Sequence, residues 1–228
     1  MLDNFRFLSV TEDRADEILQ FLLNQFGPNE PITKSIRATK DDVIDFYRDL
    51  TKSACKFDKY STLVYDENRL VGICLCSLCL PGSADASSST KIKENHDYTE
   101  EISNGSYKQH KGNQITVLVH ILEEELKRLL SKSKFMELDI LCIHKDYAGR
   151  GLGKELTRRA TEMARAEGCE YLAAVATAGA SQAIFKKYGW KTLVEIPYTD
   201  YCENGNPVFQ NLHDGHQSAK AMALKLNL

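Results

Sequence analysis

A glycine-rich turn between an apolar strand and a helix constrains this sequence more than any other feature. The strand begins at Phe135 and leads to the turn Ala148-Gly149-Arg150-Gly151-Leu152-Gly153, which opens directly into a helix. Three glycines within five residues let the backbone curl so that successive N–H groups point at one place. The positive end of the helix dipole faces the same place, so the turn favours a bound phosphate group.

Taken alone, the turn is open to a second interpretation. The dinucleotide-binding pattern GxGxxG is not met, because residue 154 is Lys rather than Gly or Ala. No Gly-Lys-Ser or Gly-Lys-Thr ending follows either, which excludes a P-loop. The alternative to a phosphate site is a tight connection whose glycines adopt positive φ angles. The residues of the turn leave both interpretations open.

The spacing of apolar residues predicts strands and helices along the rest of the chain. Helices are predicted over 11–26, with Asp13 as N-cap, and over 39–55, with Thr39 as N-cap. Others are predicted over 114–131 and after the glycine turn, where Gly168 ends the helix. Strands are predicted at 5–10, 61–65, 69–80, 171–176, 191–197, 201–209 and 218–226.

These elements predict one α/β domain over residues 1–228. Strands and helices alternate without strict pairing, which favours a central mixed, twisted β-sheet flanked by helices on both faces. The segment 81–113 departs from this pattern, because it is rich in serine and charge and has few aliphatic residues. A loop of this length is usually functional or flexible, so we expect it on the substrate side of a site or flexible.

Composition excludes several classes of protein. The net charge is −3 and the basic residues are scattered, which argues against a nucleic-acid partner. The first residues lack the basic region and apolar run of a signal peptide, and no apolar run approaches the ~20 residues that cross a membrane. We therefore expect a cytoplasmic protein with neither a membrane nor a nucleic-acid partner; its oligomeric state cannot be predicted.

The seven cysteines raise the question of a metal site. An odd number of cysteines in an intracellular protein usually means free thiols that pack as small apolar groups. On a strand, Cys74 and Cys76 share one face while Cys79 points to the other. No second Cys or His pair with zinc-site spacing completes a site, so we expect no metal.

The order of elements around the turn resembles a known superfamily. The turn is followed by a helix, a strand at 171–176, a short helix and Gly189-Trp190. This succession resembles the acyl-CoA-dependent N-acyltransferase (GNAT) superfamily, and it implies the GNAT fold with acetyl-CoA as the acyl donor. In that superfamily the turn holds the pyrophosphate of coenzyme A.

The resemblance assigns cofactor-binding roles to the turn. The superfamily signature matches at Gly151 and Gly153, with Gly149 and Tyr147 preceding them, whereas Ala148 stands where a Gln or Arg is usual. Much of the cradle is backbone, so binding is expected to survive this change. The neighbouring cations would be Arg150 and Lys154.

The resemblance also implies where the thioester lies. Cys142 and Ile143 stand where the superfamily's central strand splays from its neighbour, and a backbone N–H near Ile143 would steady the thioester oxygen. Phe185 stands where many members carry a tyrosine that protonates the leaving thiolate. Phe185 keeps its expected place beside the cofactor but cannot donate that proton, so another hydroxyl or water must do so.

A narrower resemblance concerns the catalytic residues. The segment Asn29-Glu30-Pro31-Ile32 resembles the Asp-Glu-Pro-Leu segment of the insect-type arylalkylamine N-acetyltransferases, the dopamine N-acetyltransferase group. Glu30 falls on the general base of that family. Thr177 and Ser181 fall on two serines that assist proton transfer there. Thr177 replaces the first serine and keeps a hydroxyl group, and Ser181 retains the second serine.

Each of these residues also has a purely structural interpretation. Glu30 could be a solvated loop residue before a proline, and Thr177 an ordinary helix N-cap. Ser181 could be packing on a helix face, and His144 a satisfied histidine in a central strand. Cys142 fits a packed thiol better than a nucleophile, because no His/Asp pair is spaced to activate it.

The resemblance implies an enzyme that transfers acetyl from acetyl-CoA to a small arylalkylamine of the dopamine, tyramine and serotonin class, by direct attack on the thioester. The first alternative is an acetyltransferase for a polyamine, agmatine or another small amine. The second is a non-catalytic acyl-CoA-binding module. An aromatic pocket would favour the arylalkylamines, and an acidic one a dication. The aromatic candidates for the pocket wall are Phe26, Phe46, Tyr47, Tyr98 and Tyr107.

Overall fold

A computed structural model describes residues 2, 4–82, 92 and 96–227. Seven strands form one sheet, and two further short strands form a separate ribbon. The sheet strands are β1 (Phe5–Ser9), β2 (Thr62–Asp66), β3 (Arg69–Cys79), β4 (Phe135–Ile143), β5 (Tyr171–Ala176), β6 (Lys191–Pro197) and β9 (Ser218–Lys225). The ribbon strands are β7 (Cys202–Glu203) and β8 (Asn206–Pro207). The α-helices are α1 (Ala15–Phe21), α2 (Pro31–Ser35), α3 (Lys40–Lys56), α4 (Thr99–Ser103), α5 (His110–Leu129), α6 (Leu152–Ala166) and α7 (Gly179–Lys187).

The sheet is mixed, with the strand order β1-β2-β3-β4-β5-β9-β6. All neighbours are antiparallel except β4 and β5, which run parallel. The parallel pairing covers only Phe135–Glu137 of β4 against Tyr171–Ala173 of β5. Beyond these residues the two strands continue without a ladder between them in the described chain. The sheet therefore opens at the carboxyl ends of its two central strands.

Helices cover both faces of the sheet, and each face has its own apolar core. On one face, α1, α3 and α5 contribute buried side chains such as Ile18, Val43 and Leu122. On the other, α6 and α7 contribute Leu156 and Phe185. The α/β architecture predicted from the sequence, a mixed sheet with helices on both faces, is confirmed.

The segment predicted as a helix over 11–26 is helical from Glu12 to Phe26, but its turns are of three kinds. The segment consists of a 3₁₀ turn (Glu12–Arg14), α1 and a π-helical turn (Leu22–Phe26). Asp13 is not the N-cap of α1; it lies within the 3₁₀ turn. The wider π turn is closed by the Gly27 N–H, which donates to the Leu22 carbonyl at 2.9 Å. This widening just before Glu30 is a common feature near functional sites.

The described part of the segment 81–113 includes regular secondary structure. Residues 83–91 and 93–95 lie outside the described residues, so the expectation for this segment is not tested there. The rest contains α4 and the first turn of α5, which begins at His110 rather than at residue 114. The Asn113 side chain accepts from the Tyr107 N–H and donates to the Tyr107 carbonyl, both at 2.9 Å.

The C-terminal segment contains two of the three predicted strands in the main sheet. β6 and β9 pair as antiparallel neighbours, as the sequence suggests. The predicted strand at 201–209 is instead the β7–β8 ribbon, with Asn204 and Gly205 at its turn in positive-φ conformations. Asp97 stabilises this turn by accepting from the N–H groups of both residues, at 3.2 and 2.5 Å.

All seven cysteines are described, and all are free. Cys74 and Cys76 pack in the core beneath α6, whereas Cys79 packs against the opposite core, as strand alternation predicts. In the described part of the chain no group of three or more His, Cys, Asp or Glu side chains is arranged to hold a metal ion. Within the same residues no helix is long and apolar enough to cross a membrane.

Candidate active site

The glycine turn presents unblocked backbone to solvent at the start of α6. Gly149 and Gly151 have φ angles of 76° and 86°, a region that favours glycine. A Cβ on either residue would meet nothing within 4 Å, so the space that the turn faces is open. Gly151 is the N-cap of α6, and no side chain caps this end of the helix. The first N–H groups of the helix are therefore available to an anionic ligand.

Two cations flank this turn, and its third glycine has a packing role. The Arg150 guanidinium lies 4.4 Å from the centre of the Tyr147 ring and donates to the Asp146 carbonyl at 3.1 Å. Lys154 is exposed on the first turn of α6. A Cβ on Gly153 would come within 3.3 Å of Ile184 on α7, so this glycine also allows the two helices to pack closely.

The opening between β4 and β5 contains the predicted thioester-side residues. Cys142 and Ile143 end β4, beyond the part of the strand that pairs with β5. Burial raises the pKa of the Cys142 thiol to about 12, so it stays protonated at neutral pH. Its Sγ lies 3.9 Å from the Ile143 carbonyl oxygen. These properties fit a packed thiol better than a nucleophile.

Glu30 is a buried carboxylate held from both sides. It is the N-cap of α2, where Pro31 occupies the first helical position. Its Oε2 accepts from the Thr33 N–H at 2.7 Å and from the Thr33 hydroxyl at 2.6 Å. Its Oε1 accepts from the Thr177 hydroxyl at 2.9 Å. Burial raises the pKa of Glu30, and these hydrogen bonds oppose the rise. The solvated-loop interpretation is wrong, since only 6% of this residue is exposed.

Thr177 is not a helix cap, because Ala178 is the N-cap of α7 and no side chain caps that helix in the conventional way. Its hydroxyl instead reaches Glu30, and its carbonyl accepts from the Tyr198 hydroxyl at 2.7 Å. Ser181 lies further along α7, where its hydroxyl donates to the Ala178 carbonyl at 2.8 Å. The structure thus joins Thr177 to Glu30 directly, and leaves Ser181 in a bond within its own helix.

Glu30 and Thr177 line a partly enclosed cavity of about 70 Å³, which we call the inner cavity. Its other described lining residues are apolar, aromatic, hydroxyl-bearing or acidic. They are Phe26, Ile32, Thr33, Phe46, Leu50, Ile115, Val119, Glu123, Glu137, Leu138, Asp139, Ile140 and Val175. The cavity lies where β4 and β5 have separated, because residues 138–140 and Val175 line it.

Sequence reasoning missed the three carboxylates in this wall. Glu137 and Asp139 are two residues apart on β4 and so share a face, and Glu123 projects from α5. Burial raises the pKa of each carboxyl group, and for Asp139, whose pKa reaches about 8, the charge of Glu123 is the next cause. The alternation along β4 was the available signal. No sequence signal marked Glu123 as a cavity residue, because a glutamate in a helix is usually solvated.

A larger cleft of about 660 Å³ adjoins the inner cavity. Phe46, Leu50, Val119 and Glu123 line both spaces, so one opens towards the other. Of the aromatic residues predicted to wall a pocket, Phe26 and Phe46 line the inner cavity, and Tyr107 lines the cleft. Tyr47 and Tyr98 are instead core residues, with 0% and 3% of their surface exposed.

The contacts of two further candidates, His144 and Phe185, are those of structural residues. His144 is 6% exposed, and its Nε2 lies 2.7 Å from Nη2 of Arg69. Burial and the Arg69 charge lower the pKa of His144, which supports the interpretation as a satisfied neutral histidine. Phe185 is 1% exposed and stacks on Trp190 with ring centres 4.2 Å apart. Its contacts are those of a core residue.

Comparisons with known proteins agree with this architecture. The family model described as "Acetyltransferase (GNAT) family" matches residues 19–190. A search of curated proteins found no match. Among solved structures, arylalkylamine N-acetyltransferase 2 from Aedes aegypti is similar, with a TM-score of 0.81 and 24% identity over 98% of this chain and 100% of that one.

Two other solved structures have the same fold at lower identity. A mosquito arylalkylamine N-acetyltransferase-like protein, 5b, has a TM-score of 0.74 and 19% identity, over 97% of this chain and 100% of that one. A Drosophila melanogaster polyamine N-acetyltransferase that catalyses the formation of N-acetylagmatine has a TM-score of 0.73 and 16% identity, with the same coverage. At these identities the likeness concerns the fold.

Proposed function

This chain belongs to the acetyltransferase (GNAT) family, and from that premise we propose that it acetylates a small primary amine with Glu30 as general base. The observation that carries the proposal is the 2.9 Å hydrogen bond from Thr177 to Glu30 in the wall of the inner cavity. That cavity lies where the sheet opens, and the glycine turn stands at the start of the helix that follows β4. We take residues 1–228 to act as one domain.

The first chemical requirement is removal of a proton from the amine. An alkylammonium has a pKa near ~10, so freeing its lone pair at neutral pH costs roughly 4 kcal/mol. Glu30 can accept this proton, directly or through water, because burial raises the pKa of its carboxyl group while three hydrogen bonds stabilise its charged form. The deprotonated amine is then positioned to attack the acyl donor.

The chain's residues fit an acyl-CoA donor. The open backbone of Gly149 and Gly151 and the uncapped start of α6 would hold a pyrophosphate, with Arg150 and Lys154 as flanking cations. Gly153 keeps α7 close behind the turn. Acetyl-CoA supplies the acetyl group when bound.

The second requirement is a set of groups near the cavity and the opened strands that stabilise the developing negative charge and return a proton. Beyond Glu137, β4 has an edge free of β5, so the N–H groups near Cys142 and Ile143 are candidates to steady a developing negative charge. Ser181 remains our proposed source of the returning proton, with Thr177 assisting. Phe185 remains a proposed neighbour of the donor, although its present contacts are with the core.

The amine is proposed to be a small arylalkylamine, since Phe26 and Phe46 give the inner cavity aromatic walls. The solved arylalkylamine N-acetyltransferases of similar fold support the same choice. A polyamine or agmatine is the second candidate, and the carboxylates of the inner cavity favour it. The similar polyamine N-acetyltransferase supports that alternative.

The test is thiol release from acetyl-CoA against dopamine, tyramine, serotonin, agmatine and spermidine. Turnover of any of these amines supports the reaction, and the order of kcat/KM values selects the class. A protein that binds acetyl-CoA yet acetylates none of them would instead fit a non-catalytic acyl-CoA-binding module.

A further inference from the structure

The connection between β5 and α7, residues 177–178, is anchored at both ends by the segment between β6 and β9. At one end, the Tyr198 hydroxyl donates to the Thr177 carbonyl at 2.7 Å. At the other end, Oδ2 of Asp214 accepts from the Gly179 N–H at 2.8 Å. Since the connection belongs to neither the strand nor the helix, these two side chains supply the partners that a regular element would give its backbone.

Tyr198 is itself fixed at its backbone and at its ring. It directly follows β6, and its N–H donates to the Gln217 carbonyl, just before β9, at 2.8 Å. Its ring packs edge-on against Phe209, with ring centres 5.9 Å apart, and only 3% of the residue is exposed. A close-packed side chain of this kind stays in one rotamer, so it holds the carbonyl that it binds in one orientation.

Thr177 connects this anchor to Glu30. Its carbonyl accepts from Tyr198, and its hydroxyl donates to Oε1 of Glu30 at 2.9 Å. The branched Cβ of threonine restricts the χ1 torsion, so the direction of the hydroxyl follows the orientation of the backbone. The pKa of Tyr198 is raised by burial and then by the charge of Glu30, so the phenol also lies within the electric field of this carboxylate. Tyr198, Thr177 and Glu30 therefore form one chain of contacts.

We propose that Tyr198 is a positioning residue for the base: by holding the Thr177 carbonyl, it directs the Thr177 hydroxyl to Glu30. This inference rests on the proposed function, because it takes Glu30 as the general base. Tyr198 transfers no proton itself, because its own hydroxyl hydrogen is committed to the Thr177 carbonyl. Without this anchor the connection can turn, and the Thr177 hydroxyl is bonded to Glu30 for a smaller fraction of the time.

The test is Tyr198→Phe, which removes the donor and keeps the ring. The hydrogen bond from Thr177 lowers the pKa of Glu30, so a weakened bond should raise that pKa. We expect the ascending limb of the kcat/KM–pH profile to move to higher pH, in the same direction as in Thr177→Val and by no more. At neutral pH kcat/KM should fall roughly 2- to 10-fold, as for the loss of one hydrogen bond, with the affinity for acetyl-CoA unchanged.

The titratable groups around this chain of contacts are the same in Tyr198→Phe and in the wild type. They are Tyr47, whose pKa is raised by burial and the Glu30 charge, Asp214, whose charge acts on Tyr198, and the cavity carboxyl groups of Glu123, Glu137 and Asp139. Because burial raises the pKa of Tyr198 above its usual range, its removal takes no titration out of the profile. A shift of the limb therefore reports on the hydrogen bond to Glu30.

Tyr201→Phe is the matched control. Tyr201 lies in the same segment, is fully buried and also donates its hydroxyl to a carbonyl, that of Gln114 on α5, at 2.9 Å. This variant loses a bond of the same kind away from Glu30, so it should keep the wild-type profile even if it lowers the melting temperature.

The double variant Tyr198→Phe/Thr177→Val shows whether Tyr198 acts through Thr177. Valine keeps the carbonyl that Tyr198 binds but lacks the hydroxyl, so Tyr198 has nothing left to direct. The profile of the double variant should coincide with that of Thr177→Val alone, because two changes in one chain of contacts are not additive.

Two results overturn the inference while the proposed function survives. One is an unmoved profile in Tyr198→Phe, and the other is a further shift when Tyr198→Phe is added to Thr177→Val. The proposed function fails in a different way, through wild-type turnover by Glu30→Gln or absence of acetyl transfer to every amine tested.

In that event the pKa of Glu30 still tests the anchor without any turnover. It can be read by NMR titration of the side-chain carboxyl ¹³C resonance that is missing in Glu30→Gln. This pKa should be higher in Tyr198→Phe than in the wild type and in Tyr201→Phe. Equal values in the three proteins would count against the positioning role.

Discussion

The Thr177 hydroxyl donates to Oε1 of Glu30 at 2.9 Å, across 147 positions of sequence. This bond joins the end of β5 to the start of α2, and so fixes the carboxylate at the point where the sheet opens. The Thr33 N–H and hydroxyl hold the other oxygen. Both oxygens of the proposed base are therefore oriented before any substrate binds, which is the condition for efficient proton transfer.

Replacing the base should remove turnover and leave donor binding intact. Glu30→Gln keeps the size and can still cap α2, but its amide cannot accept a proton. We expect kcat/KM for the amine to fall on the order of 10²- to 10⁴-fold, with the affinity for acetyl-CoA unchanged in calorimetry. Glu162→Gln, on the exposed face of α6, is the control and should behave as wild type. Wild-type turnover by Glu30→Gln would refute the assignment of the base.

The hydrogen bond from Thr177 should set the pH at which the base works. This bond favours the charged form of Glu30 and so lowers its pKa. Thr177→Val removes the donor, so the pKa of Glu30 should rise, and the ascending limb of the kcat/KM–pH profile should move to higher pH. Thr177→Ser keeps the hydroxyl and should retain the wild-type profile. A loss of rate in Thr177→Val with no shift of the profile would contradict this role.

The sequence predicts the parts of this site that local chemistry determines. The glycine turn can be recognised because only glycine adopts positive φ easily, and Gly149 and Gly151 do so in the structure. The apolar runs of β3 and β4 and the N-cap at Thr39 are local signals of the same kind, and the structure has both strands and a capping box at Thr39. Fold class follows from such signals together with the resemblance.

Other features of the site depend on distant contacts that no local pattern encodes. The bond between Glu30 and Thr177 joins residues far apart in sequence, and the helix cap that the sequence offered as the structural alternative for Thr177 falls on Ala178. The cluster of Glu123, Glu137 and Asp139 in the inner cavity could be predicted only if it were known that Glu123 on α5 faces β4. The π turn at Leu22–Phe26 gives no local signal either, because its residues have ordinary helical spacing.

A negative charge introduced at the glycine turn should abolish donor binding. Gly151 has a φ of 86°, and a Cβ added there would meet nothing within 4 Å, so Gly151→Glu puts a carboxylate where the anion is proposed to bind. We expect acetyl-CoA affinity to fall at least about a hundredfold in calorimetry. Gly168→Glu is the matched control, because Gly168 also has positive φ and open space but lies at the other end of α6. Equal weakening in both variants would mean that backbone strain is the cause.

The carboxyl groups that line the inner cavity should make the protein less stable as pH rises. The pKa of Asp139 in the folded protein is about 8, raised from 3.8 by burial and by Glu123, so folding favours the protonated form. A group of this kind contributes stability that is fully present below pH ~4 and is lost as pH rises through about 8. The melting temperature should therefore fall between pH ~5.5 and ~8.5, by about 2–4 °C for each kcal/mol lost.

Asp139→Asn isolates this effect from the other titrating groups of this cluster, which are Glu123, Glu124, Lys127, Glu137 and, through its charge on Glu123, His120. An amide has no proton to lose in this range, so the variant should show a shallower fall in melting temperature than the wild type. Parallel melting curves for variant and wild type across this range would show that Asp139 does not titrate as the structure indicates.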